Sequence, residues 1–252
     1  MLRPGFGDLG PRGFAERAAL GGVLAARAAA GLLRSAANDD PNRIPHPPKA
    51  SHAGVANMQT AFDYDRTVVA FHGTRRAAAE SLVRGEPFGV SENDDDWLGH
   101  GIYFWEFAPQ QAWWWAERRY GDDAAVVGSL VRLRRCFDLL DPSNTALLRE
   151  AHDDLAEALN QAGQKLPANA NTHKYLDCAV FNWLYRLLAE AKQPVDSCRA
   201  VFVPLKQGKG MPRLWTRSGI FEGAHVQLCV REPSNILAVW PVKKDGRYGQ
   251  DK

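Results

Sequence analysis

Three short histidine-containing segments hold the residues of this chain best suited to chemistry. They are Phe71–Thr74 (FHGT), Gly99–Phe104 (GHGIYF) and His225–Val230 (HVQLCV). A histidine titrates near neutral pH, so it can bond a hydroxyl as a neutral ring or take up a proton as a base. His225 and Gln227 are two residues apart, and strand alternation would place both side chains on one face of a sheet. The three segments together are the candidate site.

In this order the segments resemble the signature of the diphtheria-toxin-like and PARP-like ADP-ribosyltransferases of the H-Y-E type. In that family one strand ends in His-Gly-Ser/Thr, a second carries Gly-x-Gly-x-Tyr-Phe, and a third carries the last catalytic residue, usually Glu. Beyond Tyr103 the offsets also match, because Ala112 and Trp114 stand where the family has a small residue and a second stacking aromatic. The resemblance covers roughly residues 66–242, with Gln227 at the Glu position.

The resemblance implies that NAD is a substrate, that its nicotinamide bond is cleaved, and that one ADP-ribose passes to an acceptor. It implies no metal. The implied catalytic residues are His72, Tyr103, Gln227 and His225, and the implied NAD-binding residues are His72, Gly73, Thr74, Gly101, Tyr103, Gln111 and Trp114. His72 would bond the adenosine ribose, the Gly73 backbone would meet the nicotinamide amide, and Tyr103 and Trp114 would enclose the nicotinamide ring.

Gln227 is the main departure from the family pattern. An amide can orient NAD but has neither charge nor basicity, so chain extension is not expected. If the enzyme is active, His225 is the first candidate for the base and Glu222 the second. The alternatives are a catalytically weak module that binds NAD or ADP-ribose, and an RNA 2′-phosphotransferase. Tyr103 disfavours the phosphotransferase, since it stands where that related family has a second histidine.

The acceptor is left open between nucleic acid and protein. Just before the third segment, a Gly-containing loop interleaves Trp215 with basic residues, an arrangement that suits single-stranded nucleic acid. The basic residues are Lys206, Lys209, Arg213 and Arg217. An exposed basic loop with one packed Trp is the plainer interpretation. Arg75 or Arg76 could meet a pyrophosphate or simply begin a solvated helix.

The elements that must position these residues follow a mixed order. Periodicity predicts strands over 67–71, 101–105, 124–138, 200–204, 225–230 and 236–242, and helices over 75–84, 109–120, 144–161 and 175–191. Without regular βαβ alternation, an α+β fold is predicted. The resemblance makes this an ADP-ribosyltransferase-like split β-sheet core with a helical insert at 144–191. Among the eight Trp, consecutive Trp113, Trp114 and Trp115 cannot share one helix face, and Trp114 has the site offset.

Residues 1–57 differ from the rest and predict a flexible N-terminal arm. An Ala- and Arg-rich helical stretch is followed by a proline-dense linker, and the catalytic domain is expected over 58–252. The Trp-rich stretch and the helical insert resemble bacterial stand-alone transferases of toxin or phage-defence type. That likeness implies a macromolecular acceptor and a possible cognate antitoxin.

Composition and missing motifs argue against several other classes of protein. With 31 Lys and Arg against 29 Asp and Glu, the chain lacks the strongly basic footprint of a non-specific nucleic-acid binder. Four scattered Cys without a Cys-x-x-Cys pair argue against zinc and disulfides, which favours a reducing, cytoplasmic location. No stretch approaches the ~20 apolar residues of a membrane helix, so no membrane partner is expected. The dinucleotide fingerprint of a Rossmann fold is also missing.

Overall fold

The computed structural model describes residues 65–170, 173–204 and 212–244. The predicted arm at 1–57 lies outside the described residues, as do Lys206 and Lys209 of the basic loop. The proposed domain start at 58 therefore stays a prediction. Within the described ranges, no helix is long and apolar enough to cross a membrane.

The described chain is a mixed α+β structure, which confirms the predicted class. The strands are β1 (Thr67–Arg75), β2 (Ile102–Glu106), β3 (Ala124–Arg132), β4 (Cys136–Asp138), β5 (Ser197–Phe202), β6 (His225–Val230) and β7 (Ile236–Val242). The helices are α1 (Arg76–Val83), α2 (Pro109–Tyr120), α3 (Pro142–Gln161) and α4 (Tyr175–Glu190), with single 3₁₀ turns at Gly121–Asp123 and Pro233–Asn235.

All seven strands form one sheet in the order β4-β5-β6-β2-β1-β3-β7. Every pairing is antiparallel except that of β4 with β5. The single strand predicted over 124–138 is wrong, because Arg134 adopts a positive φ of 49° that interrupts extended backbone. The chain then leaves β3 near one edge of the sheet and enters β4 at the other.

Helices cover the two faces of the sheet unequally. The α2 helix packs against Phe71, Trp105 and Val126. On the same face, the core formed with α3 and α4 reaches Cys198 and Cys229 of the neighbouring strands. The short α1 packs on the opposite face. The predicted helical insert is thus the layer that covers the β5–β6 half of the sheet.

A buried ion cluster joins three strands on the face away from α2. Arg199 of β5 bonds the Glu106 carboxylate through Nε (2.5 Å) and Nη2 (3.2 Å), and reaches Asp138 through Nη1 at 3.1 Å. All three side chains are largely buried. Mutual pairing is what makes burying these charges tolerable.

Candidate functional site

The candidate site lies where β1 and β2 separate. β1 pairs with β3 along its whole length but with β2 only at Ala70↔Glu106 and Phe71↔Trp105. Past that point the ring of His72 crosses the interval, with Nδ1 2.8 Å from the Tyr103 carbonyl oxygen. A side-chain bond thus replaces the missing rung of the ladder, and we call this interval the β1–β2 gap.

His72 is held as a neutral ring with one free acceptor. A carbonyl oxygen can only accept, so Nδ1 carries the proton and Nε2 presents a lone pair. Burial against Phe88 and Phe104 lowers the pKa of His72 from its ordinary value, although the Tyr103 carbonyl opposes this. The ring is therefore suited to accept a bond from a hydroxyl at neutral pH.

The backbone of Gly73 faces the same gap. Along β1, the Val69 carbonyl accepts from the Phe107 N–H on the β2 side, whereas the Arg66 carbonyl accepts from Leu133 on the β3 side. Antiparallel alternation then directs the N–H and C=O of Gly73 toward β2. The β2 pairing ends two residues earlier, so neither group has a ladder partner there. The gap thus presents one donor and one acceptor side by side.

Two motif glycines have packing reasons for lacking a side chain. A Cβ on Gly73 would lie 2.7 Å from the Ala112 carbonyl oxygen of α2, and one on Gly101 would lie 2.4 Å from Cys229 Sγ. Gly73 therefore lets α2 approach the strand, while Gly101 lets β6 do so. Their predicted contacts with NAD remain predictions, and Gly73 would make its contact through backbone atoms alone.

Tyr103 anchors the loop that precedes β2. Its hydroxyl donates to the Gly99 carbonyl at 2.8 Å and accepts from the Leu98 N–H at 2.9 Å. Burial is the largest cause of a Tyr103 pKa raised well above its usual range. The hydroxyl is thus a neutral structural group, and only the half-buried ring is left for the predicted stacking.

Gln227 and His225 lie on one face of β6, as their spacing predicts, and are directly bonded. Gln227 Nε2 is 3.1 Å from His225 Nε2, and His225 Nδ1 is 2.7 Å from the Gly223 carbonyl. The Gln227 Oε1 accepts from the indole N–H of Trp97 at 2.7 Å. Burial is the largest cause of a lowered His225 pKa, and the Gly223 carbonyl opposes it. His225 is therefore a neutral ring whose basic nitrogen already faces an amide.

Trp97 is the site residue that sequence reasoning missed. It follows the acidic run Asn93–Asp96 and precedes the Gly-His-Gly segment, but no family offset marks it. Only the pairing of β2 with β6, which sets Trp105 opposite Gln227, shows that the loop before β2 reaches β6. A lone Trp in a polar loop next to a motif was the available signal.

The α2 helix carries the remaining predicted NAD contacts. Trp114 is 45% exposed, whereas Trp113 and Trp115 pack in the core cluster under the helix. Gln111 precedes Trp114 by three residues and so lies on the same helix face. Its Nε2 lies 4.0 Å from where a Cβ of Gly223 would stand, next to the start of β6. Thr74 is buried in β1, paired with Ala125.

Other candidate residues are engaged elsewhere. Arg75 stacks over the Tyr120 ring and Arg76 donates to the Asp122 carbonyl, both at the far end of α2. Arg213 stacks on Phe221 and donates to Ser218. Arg75 and Arg76 therefore have partners near the end of α2, and their contact with a pyrophosphate stays a prediction.

The exposed turn before β6 holds the described part of the basic loop. Arg213 pairs with Phe221, while Trp215 and Arg217 stand at the turn, with Trp215 among the most exposed large side chains. Glu222 follows, its backbone N–H bonded to Pro212. These residues form an exposed surface next to the Gln227 strand.

Comparison with known proteins finds a distant relative whose function is not characterised. The chain is 26% identical over 183 residues to an uncharacterized protein, MJ0359, of Methanocaldococcus jannaschii. The aligned region covers 66% of this chain and 83% of that protein. No family model matches the chain, and no solved structure matches it.

Proposed function

We propose that this protein is an NAD-dependent mono-ADP-ribosyltransferase with an ADP-ribosyltransferase-like fold. The observation that carries the proposal is the β1–β2 gap, where the His72 ring bonds the Tyr103 carbonyl and the Gly73 backbone is left without a β2 partner. The motif order described above is the second support. The acceptor is a macromolecule, nucleic acid or protein.

A nicotinamide carboxamide complements the gap. Its oxygen accepts from the Gly73 N–H, and its NH₂ donates to the Gly73 carbonyl, so that both buried backbone groups are satisfied. A ribose hydroxyl donates to the free Nε2 of His72. The ligand therefore supplies the two polar partners that β2 provides elsewhere along the strand.

The chemistry needs the protein to bind NAD, to place charge, and to accept the proton of the acceptor group. The bond between the ribose C1′ and the nicotinamide nitrogen breaks and the electron pair leaves with nicotinamide. The acceptor oxygen or nitrogen bonds C1′ and gives up its proton to a base, for which His225 is the candidate. Developing positive charge on the sugar favours electron-rich neighbours such as the ring of Tyr103. Gln227 supplies no charge, so transfer of one unit to a good nucleophile is the expected outcome.

Labelled NAD tests the proposal. Wild type and His72→Ala are incubated with cell lysate, with and without nuclease or protease, and transferred label is counted. The proposal predicts about tenfold or greater loss of NAD affinity in His72→Ala, measured by calorimetry, because the hydrogen bond from the ribose hydroxyl to Nε2 is lost. His152→Ala, an exposed α3 histidine bonded to Asp153, is the control. A protein that neither binds NAD nor labels any fraction contradicts the proposal.

The second candidate is an NAD- or ADP-ribose-binding module. It is favoured by one observation: both polar ends of the uncharged Gln227 amide are already bonded within the protein, to Trp97 and His225. Saturable NAD binding by calorimetry without nicotinamide release, in the presence of lysate acceptors, would select the module over the transferase.

A further inference from the structure

A directional hydrogen-bond chain crosses the β6 side of the site. It runs from Trp97 Nε1 to Gln227 Oε1 (2.7 Å), from Gln227 Nε2 to His225 Nε2 (3.1 Å), and from His225 Nδ1 to the Gly223 carbonyl (2.7 Å). An indole N–H only donates and a carbonyl only accepts. The two ends therefore fix the direction of every bond between them.

We propose that Trp97 is a positioning residue, which fixes the Gln227 amide in one orientation and holds His225 as the Nδ1–H tautomer with Nε2 accepting. If the amide flipped, its NH₂ would face the indole N–H and its oxygen would face the His225 lone pair. Gln227 is 8% exposed and His225 7%, so water cannot readily repair such a mismatch. Trp97 therefore acts on His225 through Gln227.

Among the groups that contact the His225 ring, the Gln227 amide is the one whose orientation can change the protonation of His225. Phe202 of β5 lies beside the ring, with centroids 5.4 Å apart. The Gly223 carbonyl bonds the other nitrogen. Within the part of the chain that the structure describes, no charged side chain contributes to the shifted pKa of His225.

The consequence for catalysis rests on the proposed function. An acceptor hydroxyl or amine that displaces the Gln227 NH₂ from His225 Nε2 meets a lone pair. As its oxygen or nitrogen bonds the ribose C1′ and nicotinamide leaves with its electron pair, the acceptor proton passes to Nε2. Trp97 keeps that nitrogen unprotonated before the acceptor arrives, so its loss should lower kcat near neutral pH more than it changes KM.

Nuclear magnetic resonance of the labelled His225 ring tests the proposal without NAD. In wild type, we expect protonated Nδ1 and unprotonated Nε2. Trp97→Phe should raise the His225 pKa by about 0.5–1 unit, the equivalent of one net hydrogen bond. Gln227→Glu should raise it by about 1–3 units, since a carboxylate would then face Nε2.

Trp113→Phe is the matched control. Trp113 is also half-buried, and its Nε1 has no hydrogen-bond partner among the described residues, so its replacement should leave the His225 pKa unchanged. An unchanged pKa in Trp97→Phe, or a wild-type ring protonated at Nε2, overturns the proposal. If the ring responds as expected but no label is transferred, the positioning role stands and the transferase does not.

Discussion

At the scale of single residues, two neutral histidines define the polar chemistry of the candidate site. His72 and His225 each donate Nδ1–H to a backbone carbonyl, of Tyr103 and Gly223 respectively, and each leaves Nε2 as the acceptor. Burial lowers the pKa of both rings. Each side chain therefore presents a lone pair at a fixed position without carrying charge.

These depressed pKa values make stability depend on pH. A histidine that binds protons more weakly when folded than when unfolded contributes stability above its unfolded pKa of about 6.5, and that stability is lost as pH falls. The free energy of unfolding, measured by denaturant titration, should therefore fall between pH 7 and pH 5. His225→Gln should flatten this slope, and a slope identical to that of wild type would contradict the expectation.

Several of these residue-level features could be predicted from the sequence. The spacing of His225 and Gln227 predicted a shared face, and the structure confirms it, with the two side chains bonded. The role of Trp97 was missed because it depends on a contact across 130 positions, to Gln227. The tautomer of His72 was likewise out of reach, since it is set by the Tyr103 carbonyl, whose direction only the folded backbone determines.

At the scale of elements, the approach of α2 to β1 shapes one wall of the site. Gly73 allows this approach, because any Cβ would clash with the Ala112 carbonyl and crowd Trp115. The start of α2 then carries Gln111 near Gly223, while Trp113 and Trp115 fill the interior and Trp114 stays exposed. Helix geometry predicted that the three Trp could not share one face, and the offset in the family resemblance singled out Trp114.

Replacing Gly73 should therefore loosen this wall. Gly73→Ala is expected to lower the free energy of unfolding by about 1–3 kcal/mol, because overpacking against backbone cannot be relieved by a rotamer change. Denaturant unfolding followed by Trp fluorescence measures the change. Gly89→Ala is the control, since a Cβ there meets open space; equal stability of the two variants would contradict the account.

Strand boundaries were predicted well for β2, β6 and β7, whereas β1 continues to Arg75, four residues beyond its predicted end, and β5 begins at Ser197, three residues before its predicted start. β6 and β7 have the predicted limits. β3 and β4 were merged because Arg132, Leu133 and Arg134 alternate basic and apolar residues as a strand would, whereas the positive φ of Arg134 interrupts the strand. That left-handed turn is a property of the path between two sheet edges, which local periodicity does not encode.

At the scale of the whole molecule, contacts between residues far apart in sequence hold the β4–β5 side of the sheet together. Arg199 joins Glu106 of β2 and Asp138 of β4 across the intervening β6. The parallel pairing of β4 with β5 ends the sheet on that side. Because β4, β5, β6 and β2 come from distant parts of the chain, the sequence predicted several of these strands but not their order in the sheet.

Removing the central cation should be costly. Arg199→Met leaves two carboxylates buried without a counter-charge, and the free energy of unfolding should fall by about 3–5 kcal/mol. Thermal and denaturant unfolding provide the measurement. Arg135→Met, which breaks the more exposed pair with Asp196, should cost less than about 1 kcal/mol. A similar loss of unfolding free energy in both variants would show that the buried cluster contributes no more to stability than an exposed ion pair.

The short β1–β2 pairing also has a mechanical consequence. The sheet consists of one half with β7, β3 and β1 and another with β2, β6, β5 and β4. The two residue pairs between β1 and β2 join these halves, and we call this junction the seam. Rotation of one half against the other stretches fewer bonds at this seam than at either neighbouring strand pair, so it is the natural axis for slow breathing of the sheet. A molecule bound to both β1 and β2 would restrict this motion. Amide hydrogen exchange would then slow in both halves of the sheet at once.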